Sequence, residues 1–123
     1  MSDTADAPRP RAGYSGDVIV AVDIGGTKMA AGLVTMQGEL IDRDQIAVDH
    51  DLQAEALFAG LRELIEQQME RAREHHRLRP AAVGVGSAGP IARDVETVSP
   101  INIPVWRNFP LRERLAHATT LPV

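Results

Sequence analysis

A carboxylate, two glycines, a hydroxyl and an amine follow directly after an apolar run near the start of the chain. Residues 18–22 read Val-Ile-Val-Ala-Val, which predicts a strand buried on both faces, and residues 23–28 read Asp-Ile-Gly-Gly-Thr-Lys. Because Gly25 and Gly26 can adopt positive φ, the chain can reverse there. Such a turn directs backbone N–H groups outward into a concavity that suits a phosphate group.

The polar residues around this turn add the other groups that a phosphate site needs. Thr27 supplies a hydroxyl and Lys28 a cation, and Asp23 stands at the strand end, where it can hold a hydrated Mg²⁺ beside the phosphate. A Gly-Gly pair between two apolar runs is equally typical of an ordinary β-hairpin. The local pattern therefore leaves both interpretations open.

A second glycine cluster, Gly84-x-Gly86-x-x-Gly89, also follows an apolar run. Its spacing is that of the dinucleotide-binding fingerprint, but that fingerprint opens a helix, whereas Pro90 and a β-like stretch follow here. We interpret the cluster as a strand end whose glycines let a ligand come close to the backbone, with a tight turn as the alternative.

The composition is that of one folded, acidic domain. The chain has 123 residues, of which 44% are hydrophobic and 24% charged, with a net charge of −4 and no cysteine. The negative charge argues against a nucleic-acid surface, and the lack of cysteine excludes disulfides and a thiol nucleophile within this chain. No apolar stretch approaches the ~20 residues of a membrane span. We therefore expect a cytoplasmic protein with neither a membrane nor a nucleic acid as partner.

The first half of the chain predicts a leader and a three-stranded meander. Residues 1–16 contain Asp, Pro and Arg with few large apolar side chains, which indicates a disordered leader before a domain over residues 17–123. Strands are predicted over residues 18–22, 29–35 and 39–48. Charges interrupt the apolar residues of the third strand, so we expect it to lie near a sheet edge.

A helix and a further strand follow the meander. The spacing of apolar residues predicts an amphipathic helix over residues 52–75, with Asp51 or Asp49 as its N-cap. Its predicted core face consists of Leu57, Leu61, Leu64, Ile65, Met69 and Ala72. Residues 81–86 predict a second fully buried strand, parallel to the first because a long helix connects them.

The last part of the chain holds one short helix. Trp106 lies in an irregular segment, where we expect it to anchor the packing rather than to stack on a sugar. Pro110 fits the first turn of a helix that ends near residue 118. Residues 121–123 predict the start of another strand.

Three motifs stand in a fixed order along this chain. Residues 23–28 come first, Gly-Val-Gly-Ser-Ala-Gly-Pro follows at residues 84–90, and Ser-Pro-Ile-Asn at residues 99–102 leads to Trp-Arg and Pro-Leu pairs. This order resembles the ROK family (repressor, open reading frame, kinase) of bacterial sugar kinases. The resemblance runs from residue 18 to residue 123. It implies an α/β N-terminal domain of the actin-like, ribonuclease-H-like fold: an antiparallel meander, a helix and parallel strands, without the last strand or strands.

The resemblance also implies roles for individual residues. The ATP-phosphate-binding residues would be Asp23, Gly25, Gly26, Thr27 and Lys28. The sugar-binding residues would be Ser87, Ala88, Gly89 and Asn102. Asp23 would in addition hold Mg²⁺ through water. The family usually has Pro-Gly-Pro where this chain has Ala-Gly-Pro at residues 88–90, so the resemblance does not fix the sugar.

The activity implied by the resemblance is phosphorylation of a hexose with ATP and Mg²⁺, with glucose as the first expected substrate. An N-acetylhexosamine kinase and a non-catalytic, sugar-binding or regulatory remnant are the alternatives. The family's general base and zinc ligands come after the position of Val123. We therefore expect this chain to be part of a longer, homodimeric kinase, with no catalytic residue or zinc ligand of its own and no activity alone. The 17 residues before the first strand are too few for the DNA-binding domain of the family's repressors.

Overall fold

The computed structural model describes residues 16–87, 103 and 105–123. Within these ranges the chain forms four strands and two helices. Their order is β1 (Asp17–Ile24), β2 (Lys28–Thr35), β3 (Leu40–Ala47), α1 (Ala54–Glu74), β4 (Arg79–Ser87) and α2 (Leu111–Thr119). The predicted leader, apart from Gly16, and the segment that holds Ala88, Gly89 and Asn102 lie outside the described residues.

The four strands form one mixed sheet in the order β3-β2-β1-β4. β2 pairs antiparallel with both β1 and β3, and β4 runs parallel to β1. The helix α1 makes the crossover between β3 and β4, as parallel strands require. The predicted meander, the parallel fourth strand and the edge position of the third strand are all confirmed.

Burial along the two apolar strands alternates, so the prediction that both are fully buried is wrong. In β1, Val18, Val20, Val22 and Ile24 are 0–4% exposed, while the side chains between them are half-buried and Asp23 is exposed. In β4 the glycines at 84 and 86 are exposed. Among the described residues, α1 packs on the face that holds the buried side chains of β1, and Asp23, Gly84 and Gly86 are exposed on the opposite face.

The long helix buries the face that the sequence predicts. All six predicted core residues of α1 are buried, together with Phe58 and Gln68. Gln68 is fully buried, and within the described residues neither its amide nitrogen nor its amide oxygen has a hydrogen-bond partner. An unpaired buried polar group costs about 1–3 kcal/mol. Periodicity could not reveal this residue as a core position because glutamine is polar.

The predicted N-cap of α1 is wrong. The cap is Gln53, whose side chain makes no capping hydrogen bond to the helix. The two aspartates that precede it build a separate turn instead: the Asp51 N–H donates to Asp49 Oδ1 over 3.0 Å, and the Leu52 N–H donates to the Asp49 carbonyl over 3.1 Å. A short aspartate side chain readily closes such a turn on its own backbone.

The second helix and the segment that leads into it pack against the start of the first helix. Trp106 is fully buried, its ring stacks on Phe109 with centroids 4.7 Å apart, and its Nε1–H donates to the Ala54 carbonyl over 3.1 Å. Arg114 of α2 lies over the Phe58 ring and forms a bidentate ion pair with Glu55. The predicted packing role of Trp106 is confirmed, because its ring has no exposed face for a sugar.

An aspartate of β3 ties the edge strand to the end of α1. Asp42 accepts hydrogen bonds from Arg71 Nε over 3.0 Å and from Arg43 N over 2.8 Å, and it lies 2.9 Å from His76 Nε2. Burial alone would raise the pKa of the Asp42 carboxyl, but the hydrogen bonds from His76, Arg71 and Arg43 and the Arg71 charge outweigh burial and lower it. Above the unfolded-state pKa of about 3.9, this carboxylate therefore stabilises the fold.

We expect Asp42→Asn to lower the free energy of unfolding at pH 7 by about 1–3 kcal/mol, because charge-assisted hydrogen bonds to a mostly buried group are lost. Because the folded-state pKa is the lower one, the wild-type advantage should begin to shrink as the pH falls through the unfolded-state pKa of about 3.9, and it should be smaller at pH 3 than at pH 5. Urea unfolding at pH 7, 5 and 3 measures this. Glu55→Gln, which breaks a surface ion pair, is the control and should change stability little at any of these pH values.

The two edges of the sheet differ in chemistry. β3 carries Asp42, Arg43 and Asp44, and charges of this kind protect an edge from pairing with another strand. β4 reads Arg-Pro-Ala-Ala-Val-Gly-Val-Gly-Ser and has no charge after its first residue. Its Val83 N–H donates to the Pro122 carbonyl over 2.9 Å, so the predicted last strand begins to run alongside β4 without forming a regular strand in residues 121–123.

The rest of the β4 edge is open in the described part of the chain. Backbone N–H groups two residues apart on a strand point to the same side, so the Val85 N–H points to the same side as that of Val83. No described acceptor reaches it. We expect the isolated chain to self-associate through this edge, with a mass that rises with concentration in light scattering.

Gly84→Lys should shift the chain toward the monomer. A Cβ at position 84 meets no atom within 4 Å, so the fold accepts the new side chain, and an ammonium group on the edge strand opposes pairing with a second copy. Gln37→Lys, in the exposed turn between β2 and β3, adds the same charge away from this edge and should leave the mass distribution unchanged. A wild-type chain that stays monomeric at every concentration would contradict this prediction.

Candidate functional site

The two sequence motifs within the described residues meet at one end of the sheet. Because β1 and β4 are parallel, their carboxyl ends lie side by side, and Asp23 pairs with Gly86 while Ile24 pairs with Ser87. Open α/β sheets bind ligands beyond the carboxyl ends of their parallel strands. The structure therefore brings the predicted phosphate turn and the start of the predicted sugar segment together.

The turn between β1 and β2 is a tight hairpin closed by the Gly25 N–H, which donates to the Lys28 carbonyl over 2.9 Å. The positive φ expected at Gly25 and Gly26 is wrong, since the described glycines with positive φ are Gly16 and Gly38. Glycine is needed at position 25 for a different reason. A Cβ there would lie 2.8 Å from the Lys28 carbonyl oxygen, which is closer than real Cβ contacts allow.

The carbonyl groups of the turn are held by the connection between β3 and α1. The Val48 N–H donates to the Thr27 carbonyl over 2.9 Å, and His50 Nε2 lies 2.9 Å from the Gly26 carbonyl oxygen. In the described part of the chain, the N–H groups of Gly26 and Thr27 have no acceptor. Two neighbouring backbone donors are thus left for an anion.

The side chains around these donors have the types that a nucleotide phosphate requires. Thr27 and Lys28 are exposed beside the turn, and the carboxylate of Asp23 is exposed at the end of β1. Asp23 also lines a depression of about 160 Å³ on the open face of the sheet. An exposed carboxylate next to a phosphate-binding turn suits Mg²⁺, which keeps most of its water and takes one or two carboxylates from a protein.

Of the four predicted sugar-binding residues, only Ser87 belongs to the described part of the chain. Its hydroxyl oxygen is buried and has no hydrogen-bond partner there. A buried hydroxyl without a partner is uncommon, so this atom is available to a polar group that arrives from elsewhere. Ala88, Gly89 and Asn102 lie outside the described residues.

Residues 16–87, 103 and 105–123 include neither a metal-binding cluster nor a membrane-spanning helix. They contain no group of three or more His, Cys, Asp or Glu side chains that could hold a metal ion. Neither described helix has the length and apolar character to cross a membrane.

Comparisons with known proteins define the family. The ROK family profile matches residues 19–123, so the chain belongs to the ROK family. It is 34% identical over 104 residues to a glucokinase of Streptomyces coelicolor, covering 85% of this chain and 30% of that protein. It is 33% identical over 106 residues to an N-acetylmannosamine kinase of Shigella flexneri, covering 85% and 33%.

A solved structure shows the same fold. The crystal structure of a ROK family glucokinase from Streptomyces griseus in complex with glucose and AMPPNP aligns with a TM-score of 0.71 and 29% identity, over 86% of this chain and 31% of that one. The predicted fold class, part of an actin-like α/β domain, is confirmed. The chain spans about a third of the length of the relatives that it matches.

Sequence reasoning found the turn but missed the residues that hold it. His50 lies 24 residues from Gly26 along the chain, and Val48 lies just beyond the end of β3. The only signal was indirect: if residues 39–48 return along β2, as predicted, the residues just after them must arrive beside the turn that begins β2.

Gly25→Ala should destabilise the chain by about 1–3 kcal/mol and displace the turn, because the added methyl group overlaps the Lys28 carbonyl, which is backbone and cannot move alone. Gly84→Ala is the matched control. Its Cβ meets no atom within 4 Å, and alanine restricts the unfolded chain, so stability should be unchanged or slightly higher. Urea unfolding and the amide NMR signals of residues 25–28 measure the two effects. Equal stability of the two variants would contradict the close contact at position 25.

Proposed function

We propose that this chain supplies the phosphate-binding turn and part of the sugar site of an ATP-dependent hexose kinase, and that the whole protein converts glucose to glucose 6-phosphate. The observation that carries the proposal is the pairing at the carboxyl ends of β1 and β4. It sets the end of β1, with Asp23 and the turn that carries the N–H groups of Gly26 and Thr27, next to the end of β4, where the buried Ser87 hydroxyl has no partner among the described residues.

Each of these groups has a defined task in this proposal. The N–H groups of Gly26 and Thr27, the Thr27 hydroxyl and the Lys28 ammonium group bind the phosphates of ATP, and Asp23 orients Mg²⁺ through its water shell. Bound Mg²⁺ neutralises charge that develops on the transferred phosphoryl group. Ser87, with Ala88, Gly89 and Asn102, binds hydroxyl groups of the sugar. Phosphoryl transfer depends mainly on positioning, which is the contribution that this chain can make.

The second candidate substrate is N-acetylmannosamine. The chain is as similar to the Shigella flexneri N-acetylmannosamine kinase as to the Streptomyces coelicolor glucokinase, with 33% and 34% identity. We place glucose first because the Streptomyces griseus structure with the same fold at 29% identity is a complex with glucose and AMPPNP. We further propose that residues 17–123 are the N-terminal domain of a cytoplasmic, homodimeric kinase.

A coupled assay for ADP tests the proposal at two lengths. The 123-residue chain alone should show no turnover with MgATP and any sugar, since a general base contributes about 10²–10⁴-fold in rate and none is proposed within this chain. A protein that carries this segment at the start of a complete ROK kinase should phosphorylate glucose, with a higher kcat/KM than for N-acetylmannosamine or N-acetylglucosamine.

The outcomes separate the alternatives. A higher kcat/KM for N-acetylmannosamine would keep the kinase and change its substrate. Sugar binding without phosphoryl transfer to any of the three sugars would favour the non-catalytic alternative. Turnover by the 123-residue chain alone would show that the catalytic base lies within it.

A further inference from the structure

We propose that His50 is a positioning residue for the phosphate site: its imidazole holds the Gly26 carbonyl so that the Thr27 N–H faces the nucleotide. His50 Nε2 lies 2.9 Å from the Gly26 carbonyl oxygen, which can only accept, so Nε2 carries the hydrogen and donates it. The inference rests on the proposed function of the turn and adds a residue to which neither the motif nor the family resemblance assigns a role.

The planarity of the peptide bond links this contact to the ligand. The Gly26 carbonyl and the Thr27 N–H belong to one trans peptide unit, so they point in opposite directions. Because His50 holds the carbonyl on the side of the β3–α1 connection, the Thr27 N–H must point away from that connection, toward the side where it has no described acceptor. His50 thus orients a donor without touching the ligand.

The backbone around His50 is itself fixed. Asp49 closes a turn around it: Asp49 Oδ1 accepts a hydrogen bond from the Asp51 N–H, and the Asp49 carbonyl accepts one from the Leu52 N–H. One residue earlier, the Val48 N–H holds the Thr27 carbonyl at 2.9 Å. The segment of residues 48–52 therefore contacts the glycine turn at two successive carbonyl groups. Because a carbonyl oxygen only accepts, a side chain can hold it only by donating a hydrogen bond.

Three variants of the 123-residue chain test this role. His50→Ala removes the donor, and His50→Gln replaces it with a side-chain amide that also donates from its terminal nitrogen. His117→Ala, at an exposed histidine in the last turn of α2, is the matched control. The probe is magnesium tripolyphosphate, titrated while the amide NMR signals of Gly26 and Thr27 are followed, and each variant is also unfolded in urea.

We expect His50→Ala to shift the Thr27 amide signal in the ligand-free chain and to weaken tripolyphosphate binding about three- to tenfold, the range of one net hydrogen bond. His50→Gln should stay within about twofold of the wild type, because it restores the donor. All three variants should unfold near the wild-type urea midpoint, since the contact of His50 is exposed. A purely structural role would instead lower that midpoint.

The test separates failure of this inference from failure of the proposed function. If His50→Ala leaves both the Thr27 signal and the affinity at their wild-type values, His50 does not position the turn and the inference is overturned. If the wild-type chain does not bind tripolyphosphate while the Thr27 signal still shifts in His50→Ala, the positioning role stands and the phosphate assignment of the turn is overturned.

Discussion

The alternation of buried and open side chains along β1 is the constraint on which the rest of the molecule depends. Four aliphatic side chains of this central strand are 0–4% exposed beneath α1, so the residues between them must face the other side of the sheet. Asp23 is one of those residues. Moving the strand by a single position would bury this carboxylate under the helix and expose Val22 and Ile24. Both changes would destabilise the fold. The core therefore fixes the face of the sheet on which Asp23 lies.

The hairpin and the phosphate site, which the local sequence left as alternatives, are compatible in the structure. The turn is a tight hairpin, and its carbonyl groups are taken up by Gly25 N–H, Val48 N–H and the His50 imidazole. Because each carbonyl shares a peptide plane with the following N–H, holding a carbonyl against the protein turns the next donor outward. The hydrogen bond that holds the Gly26 carbonyl thus also turns the Thr27 N–H outward, and no positive φ is required.

Whether a feature could be predicted from the sequence depends on how far apart in the chain its interacting residues lie. The strands, the core face of α1 and the parallel crossover follow from local periodicity and from the length of the connection, and the structure confirms them. Gln68, the Asp42 cluster and His50 could not be predicted in this way. His50 and Asp42 contact residues 24 or more positions away in the chain, and Gln68 is a polar residue on an apolar helix face. Double burial of β1 and β4 was predicted from apolar composition, but small residues such as alanine and glycine occur on open faces as readily as in a core.

The two halves of the site differ in what specifies them. The proposed phosphate half consists mainly of backbone N–H groups, so the fold of the hairpin determines where these donors lie. The proposed sugar half depends instead on side chains, and the one that the structure describes is Ser87, whose hydroxyl has no partner among the described residues. A glucokinase and an N-acetylmannosamine kinase can therefore be equally similar to this chain, at 34% and 33% identity, and still differ in substrate. Under the proposed function, a few side chains that contact the sugar's substituents suffice to select it, because a site built to hydrogen-bond one substituent is left with unpaired polar groups when that substituent is missing.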